Sequence, residues 1–329
     1  MHSQPISDPS HIAEARRGAV AVATSFGFDE THAGRVAIVA TELATNVLRH
    51  GERGELLVSS YEDESGSGVE LIALDKGRGI ADLAAAFRDG YSSAGSSGHG
   101  LGAIRRQSKT MEVASWPGVG TAILARIDLQ PRATSAAATC GFVAVPMPGE
   151  TVCGDACASV DTEAGRTIIV ADGLGHGPDA AIAATEAIRV FRRHQARSVP
   201  EILEYLHAGL RATRGAAVAV ARFDSKQPRI IYGGIGNISG AIVNSAEMRR
   251  MVSLNGTAGH NARKIQVFDY PYRDGVVIMA SDGIGTTWSV QRYLGATHLH
   301  PTLLAALIYR DFSRQRDDAT VIVCRGVSA

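Results

Sequence analysis

The chain has 329 residues and balances 33 Lys+Arg against 33 Asp+Glu, with 45% hydrophobic and 20% charged residues. This length suggests about two domains. The apolar content is enough for packed cores and excludes global disorder. Zero net charge argues against a general nucleic-acid or anionic-membrane binder, which needs a basic surplus.

The 36 glycines exceed the usual share of ~7% and fall in short clusters, as phosphate-handling loops require. The opening MHSQPISDPSHIAEARRG has no basic stretch followed by an apolar one, so it does not read as a secretory signal. No apolar run approaches the ~18 residues of a membrane span. Cys140, Cys153, Cys157 and Cys324 are too few for a disulfide scaffold. Cys153 and Cys157 could form half a zinc site, but no second Cys/His pair has matching spacing. The expectation is reduced thiols in a cytoplasmic protein.

Helical spacing predicts helices over 11–26 and 30–50, the second with Val36, Val39, Ala40, Leu43 and Val47 on one face and Gly51 as its stop. Strands are expected at 55–61 and 69–74, around a turn-rich DESGSG. A glycine- and serine-rich stretch, 75–102, holds a short helix near 81–88. A helix at 101–109 and strands at 111–116 and 121–127 complete an α/β sandwich. Residues 130–139, QPRATSAAAT, lack periodicity and read as linker. Beyond it come strands at 141–145, 166–171, 216–223, 229–233, 276–280 and 320–324, with helices at 179–194, 200–212 and 301–312. The domains are therefore placed at 1–128 and 140–329, joined by 129–139.

Glu42 and Asn46 are four apart on the second helix and share a face. Such a pair could hold a water or hydroxyl and a hydrated magnesium ion; alone it equally suits a solvated surface. Asp75 ends a strand and enters Asp75-Lys76-Gly77-Arg78-Gly79, either a plain turn or a place where a ligand meets the backbone closely. Gly98-His99-Gly100-Leu101-Gly102 opens a helix, whose free amides attract phosphate. Thr121 follows Gly120 at the start of the last strand.

In this order the four motifs resemble the boxes of the GHKL ATPase superfamily. TELATNVLRHG, DKGRGI, FRDGYSSAGSSGHGLGAIRR and GVGTAI look like its RsbT-type serine/threonine kinase branch. The resemblance implies ATP and Mg²⁺. Asn46 would hold the metal and phosphates, and Glu42 would act as base toward a substrate hydroxyl. Asp75, Gly77, Gly79 and Thr121 would surround the adenine, and Gly98, Gly100, Leu101 and Gly102 would form a lid over the phosphates.

In the second half Asp155, Asp172, Asp282 and the pair Asp317-Asp318 stand at or near strand ends, and glycine follows Asp172 and Asp282. Each Asp-Gly alone suits a turn. Together, carboxylates on one sheet edge repel one another unless divalent cations sit between them. Two cations about 3.5–4 Å apart would acidify a water for attack on phosphorus. GETVCGDA, ADGLGHGP, GGIGNISG, MASDGI and RDDATVIV resemble the PPM-type phosphatases of the SpoIIE/RsbX branch, a β-sandwich flanked by helices. The resemblance implies two Mn²⁺ or Mg²⁺ ions. Asp172 would bridge them, assisted by the Gly173 carbonyl, with Asp155 on one and Asp282 and Asp317 on the other; Asp317 is favoured over Asp318. The phosphate-binding arginine and Glu-Asp pair of eukaryotic relatives are absent in that form. His176 and His260 are candidates for an acid or for turn residues.

The combined expectation is a regulator that phosphorylates and dephosphorylates a Ser/Thr of a STAS-type anti-sigma antagonist or stressosome-like protein. A sigma factor or downstream effector is a further candidate partner, and neither nucleic acid nor membrane is expected. The rival is a metal-dependent phosphatase whose N-terminal domain only docks a partner when ATP is bound.

Overall fold

The structure is a computed structural model, and it describes residues 1–87, 100–131, 137–262, 264–293 and 295–326. The chain divides into two compact units, Met1–Ala138 and Thr139–Ala329.

The first unit comprises β1 (His2–Ile6), α1 (Pro9–Ser25), α2 (Glu30–His50), β2 (Gly54–Asp63), β3 (Gly66–Asp75), α3 (Leu83–Ala86), α4 (Gly100–Gln107), β4 (Thr110–Trp116) and β5 (Gly120–Pro131). Its sheet has the order β1-β2-β3-β5-β4 and every pairing is antiparallel. The helix starts are set by the sequence: Asp8 accepts the Ser10 N–H ahead of α1, and Asp29 the His32 N–H ahead of α2. The apolar stripe Val36, Val39, Ala40, Leu43 and Val47 then buries against Leu56, Val58, Leu71, Ala73, Ile123 and Ala125.

The second unit comprises β6 (Cys140–Val145), β7 (Asp155–Thr162), β8 (Gly165–Gly173), α5 (Pro178–His194), α6 (Val199–Gly209), β9 (Ala216–Phe223), β10 (Arg229–Ile235), β11 (Ser239–Val243), β12 (Met248–Met251), β13 (Phe268–Pro271), β14 (Val276–Ala280), α7 (Pro301–Phe312) and β15 (Ala319–Arg325). One sheet runs β13-β10-β9-β8-β7 and the other β12-β11-β14-β15-β6. Ile168, Val170, Ala219 and Ala221 of the first sheet share a core with Val277, Met279 and Ile322 of the second. Ala184, Ala187 and Phe191 of α5, and Ile202, Leu203 and Leu206 of α6, bury against Ile169, Val218 and Val220. The architecture is a helix-flanked β-sandwich, following a GHKL-like α/β sandwich.

Two expectations are corrected. β5 runs on to Pro131, into the segment read as linker, because 126–131 pairs with β3 back to Gly66. Gly51 does stop α2, as its C-cap, in extended backbone with φ −91°. The cysteines are not all free. Cys140 and Cys324 face each other across β6 and β15 and are joined as a disulfide, while Cys153 and Cys157 remain thiols.

Candidate functional site

In the first unit α2 presents Glu42 and Asn46 toward the start of α4. A Cβ added to Gly100 would stand 3.1 Å from Glu42 Oε2 and 3.4 Å from Asn46 Oδ1, so both side chains lie against bare backbone. Leu101 and Gly102 continue α4. Gly98 lies outside the described residues, as does the DGYSSAGS stretch.

Asp75 closes β3 and is buried. Its Oδ1 accepts the Gly77 N–H at 2.9 Å and the Thr121 N–H at 3.2 Å. Thr121 Oγ1 is 2.9 Å from Ser115 Oγ, which also accepts the Ile80 N–H at 2.7 Å. Gly77 has no room for a side chain, because a Cβ would meet the His50 carbonyl at 2.0 Å. Gly79 takes φ +72°, a left-handed conformation that glycine adopts without strain. Asp75, Gly77, Gly79 and Thr121 thus form one knot at the C-terminal end of α2. Next to it, burial, followed by the charges of Arg78 and Arg49, lowers the His50 pKa. Asn46 and Glu42 lie about one and two turns back along the same helix.

In the second unit β7 and β8 place Asp155 and Asp172 directly opposite each other. Asp282 follows β14 and Asp317 precedes β15, so the carboxylates come from both sheets. Asp172, Asp282 and Asp317 line one cleft of about 350 Å³, with Leu174, Gly175, Asn237, Asn255 and Thr257 among the other walls. Asp155 lies deeper, where its Oδ2 accepts from Ser281 Oγ at 2.6 Å. Asn237 Nδ2 donates to Asp282 Oδ2 at 2.6 Å. Asp318 is not among the residues that line the cleft. It is buried, one oxygen accepts the Met147 N–H at 2.9 Å, and the other has no hydrogen-bond partner. Glycine after the key aspartates is a packing requirement: a Cβ on Gly173 would sit 2.1 Å from the Ala180 carbonyl, and one on Gly283 2.0 Å from the Asp318 carbonyl.

The electrostatics follow from this crowding. Burial, then Asp155, Asp282 and Asp317, push the Asp172 carboxyl well above the ordinary range. Burial, then Asp318 and Asp317, raise Asp155 against the Ser281 hydrogen bond. Burial and Asp317 raise Asp282, opposed by Asn237 and the charge of Arg314. Carboxylates that repel this strongly, with only oxygen donors around them, suit hard divalent cations. Among the described residues no three Asp, Glu, His or Cys side chains are arranged to hold one ion by themselves.

The remaining candidates lie outside the cleft walls. His176 Nδ1 is 2.7 Å from Glu150 Oε1. His260 Nε2 is 3.2 Å from the Thr213 carbonyl, a turn contact. Burial pushes the Cys153 thiol up to about 12 and raises Cys157 as well, which disfavours the thiolates a zinc half-site needs. Ser281 and Asn237 were missed by sequence reasoning. Their adjacency to Asp282 and to GGIGNISG was the available signal, but their partners are 126 and 45 residues away.

Residues 6–127 match the family of histidine kinase-like ATPase domains, and residues 163–326 match the stage II sporulation protein E (SpoIIE) family. The chain is 32% identical over 114 residues to the serine/threonine-protein kinase RsbT of Bacillus subtilis (strain 168), an alignment covering 35% of this chain and 86% of RsbT. A solved structure described as "The bacterial stressosome: a modular system that has been adapted to control secondary messenger signaling" is 31% identical, with a TM-score of 0.54, covering 57% of this chain and 98% of that one. A crystal structure of RsbX in complex with magnesium has a TM-score of 0.50 at 19% identity, covering 56% and 94%, and shows likeness of fold. No helix among the described residues is long and apolar enough to cross a membrane. The chain belongs to the RsbT-like histidine kinase-type ATPases through its N-terminal domain, fused to a C-terminal PPM-type phosphatase domain of the SpoIIE family.

Proposed function

We propose that the two domains act in opposite directions on one partner, phosphorylating and dephosphorylating a Ser or Thr of a STAS-type or stressosome-like protein. The observation that carries the reading is the convergence of Asp172, Asp282 and Asp317, drawn from two sheets, on a single cleft. The family memberships imply ATP for the first domain and divalent metal for the second. Two Mn²⁺ or Mg²⁺ ions are the reading for the cleft, held by Asp155, Asp172, the Gly173 carbonyl, Asp282 and Asp317. Such ions would neutralise phosphoryl charge and acidify the attacking water. The chain's own residues position the reaction. Ser281 fixes Asp155, Asn237 fixes Asp282, and the open wall at Gly175, Asn255 and Thr257 leaves room for a phosphorylated side chain. Water adds to phosphorus and the serine oxygen leaves with a proton, giving alcohol and phosphate.

In the first domain Asn46 would hold Mg²⁺ and the ATP phosphates against Gly100, Leu101 and Gly102, and Asp75 with Thr121 would read the adenine. Glu42 would take the proton of the acceptor hydroxyl as phosphate transfers, so catalysis is largely positioning and charge neutralisation.

The test follows γ-labelled phosphate from ATP onto a candidate STAS-domain protein, with wild type beside Asp172→Ala. Label that accumulates with Asp172→Ala and decays with wild type supports both activities. Absence of label with both, while wild type strips a pre-phosphorylated partner, reduces the N-terminal domain to an ATP-dependent docking module. Glu42→Ala separates these further: docking survives in either case, but loss of labelling identifies transfer.

A further inference from the structure

The cleft has carboxylates to spare and, along its lining, no cation for a substrate phosphate. Other arginines of this unit are engaged elsewhere. Arg214 reaches Gly175, where its Nη1 would be 3.5 Å from an added Cβ, but its other nitrogen is paired with Asp179. Arg310 and Arg292 are both paired with Asp311. Arg314 differs from all three. It belongs to the loop leading from α7 to Asp317, and its side chain is exposed with no carboxylate at ion-pairing distance among the described residues.

The backbone puts it beside the site. The Arg314 N–H donates to the Gly283 carbonyl at 2.8 Å, one residue past Asp282, and the Gly285 N–H donates to the Phe312 carbonyl at 2.8 Å. Ile284 and Ser313 bridge between them, so the loop is stitched along the segment that follows Asp282. The next residue, Gln315, has φ +56°, and among the described residues it alone is a non-glycine with positive φ. Ser313 Oγ accepts from both the Gln315 N–H and its Nε2, at 3.3 and 3.2 Å. Left-handed backbone at a side-chain-bearing residue persists where the surroundings impose it, and such places cluster at functional loops. Here the reversal sends the chain from Arg314 back to Asp317 in the cleft wall within three residues. The charge of Arg314 is felt at the Asp282 carboxyl, in agreement with this placement.

We propose that Arg314 binds the phosphoryl group of the substrate, a phosphoserine or phosphothreonine monoester. A guanidinium offers a planar fork of donors matched to two phosphate oxygens, and its charge survives at any working pH. The proposal rests on the phosphatase reading of the cleft.

The test uses the full chain with Mn²⁺. It measures the Kd of inorganic phosphate by calorimetry, the KM and kcat for p-nitrophenyl phosphate, and the Mn²⁺ concentration at half-maximal activity. The expected result for Arg314→Ala is a rise in phosphate Kd and in KM of about tenfold or more, the worth of a hydrogen bond to a charged group. Arg314→Lys should recover part of it, the Mn²⁺ half-saturation should stay put, and Arg214→Ala should change Kd by less than about fivefold. Unchanged Kd and KM with a shifted Mn²⁺ requirement would overturn the proposal and leave Arg314 a counter-ion of Asp282. If wild type hydrolyses no phosphomonoester, the phosphatase reading itself fails and takes this inference with it. The residue is exposed, and circular dichroism of both variants separates misfolding from lost binding.

Discussion

Ser281 Oγ donates to Asp155 Oδ2 at 2.6 Å and accepts the Thr320 N–H at 2.9 Å, so one buried hydroxyl ties the strand end before Asp282 to the carboxylate on the opposite sheet. Removing it leaves Asp155 without that donor and free to turn. Outer partners of metal ligands typically contribute 10- to 100-fold in metal affinity or activity, so Ser281→Ala should raise the Mn²⁺ concentration for half-maximal phosphatase activity by about tenfold or more. Titration of activity against Mn²⁺ decides this, and an unshifted curve removes Ser281 from the site.

Asp172→Asn should abolish phosphomonoester hydrolysis beyond the roughly 100-fold upper range of outer-partner changes, because it alters a proposed shared ligand itself. Far-UV circular dichroism should be unchanged. Residual activity above a few per cent would move the centre elsewhere.

A pH dependence follows from the raised Asp172, Asp155 and Asp282 carboxyls. Their folded pKa values exceed the unfolded value of about 3.9, so the native state holds more protons than the unfolded one. Their contribution to stability is therefore greatest at low pH, and is lost as pH rises from that value through the elevated folded ones. With EDTA, the melting temperature of wild type should fall relative to Asp172→Asn as pH climbs toward and past neutrality. Mn²⁺ should reverse the trend. Parallel pH profiles for the two proteins in EDTA would show that the carboxyls do not repel as described.

Gly173→Ala should destabilise the second unit by about 1–3 kcal/mol, since the new methyl must displace the Ala180 carbonyl, 2.1 Å away. Urea unfolding reads the loss directly. A midpoint equal to wild type would mean that the start of α5 gives way easily.

Gly100→Ala should raise the Kd for ATP by about tenfold, or 1.4 kcal/mol, by pressing a methyl on Glu42 and Asn46. Fluorescent nucleotide binding measures it, with phosphatase kinetics on p-nitrophenyl phosphate as the control that should not change. An unaltered Kd would place the phosphates away from Gly100.

The long elements were legible because their signals are local. The stripe from Val36 to Val47 marks α2, and an apolar run ending in Asp-Gly marks the ends of β8 and β14. The strand β1 was hidden because His2–Ile6 is short and largely polar and gains its structure only by pairing with β2. β7 was read as motif, not strand, since ACASVD carries small and polar residues and depends on β8 for its register. The cysteine pair joins positions 184 residues apart, a separation that no local pattern reveals. For the sites, sequence order singled out the aspartates, and the structure brings Asp172, Asp282 and Asp317 to one cleft. The hydroxyl and amide that aim them were invisible, because Ser281 and Asn237 acquire their partners only when the sheets pack.

The clustered aspartates are divided between the two layers of the sandwich: the buried Asp155 and the cleft-lining Asp172 on one, Asp282 and Asp317 on the other. A cation held by both sets would work as a clasp on the seam. Sliding one layer against the other by a fraction of an ångström would change ligand spacing while leaving every strand intact. Activity that depends on such a clasp would then respond to shear between the two layers.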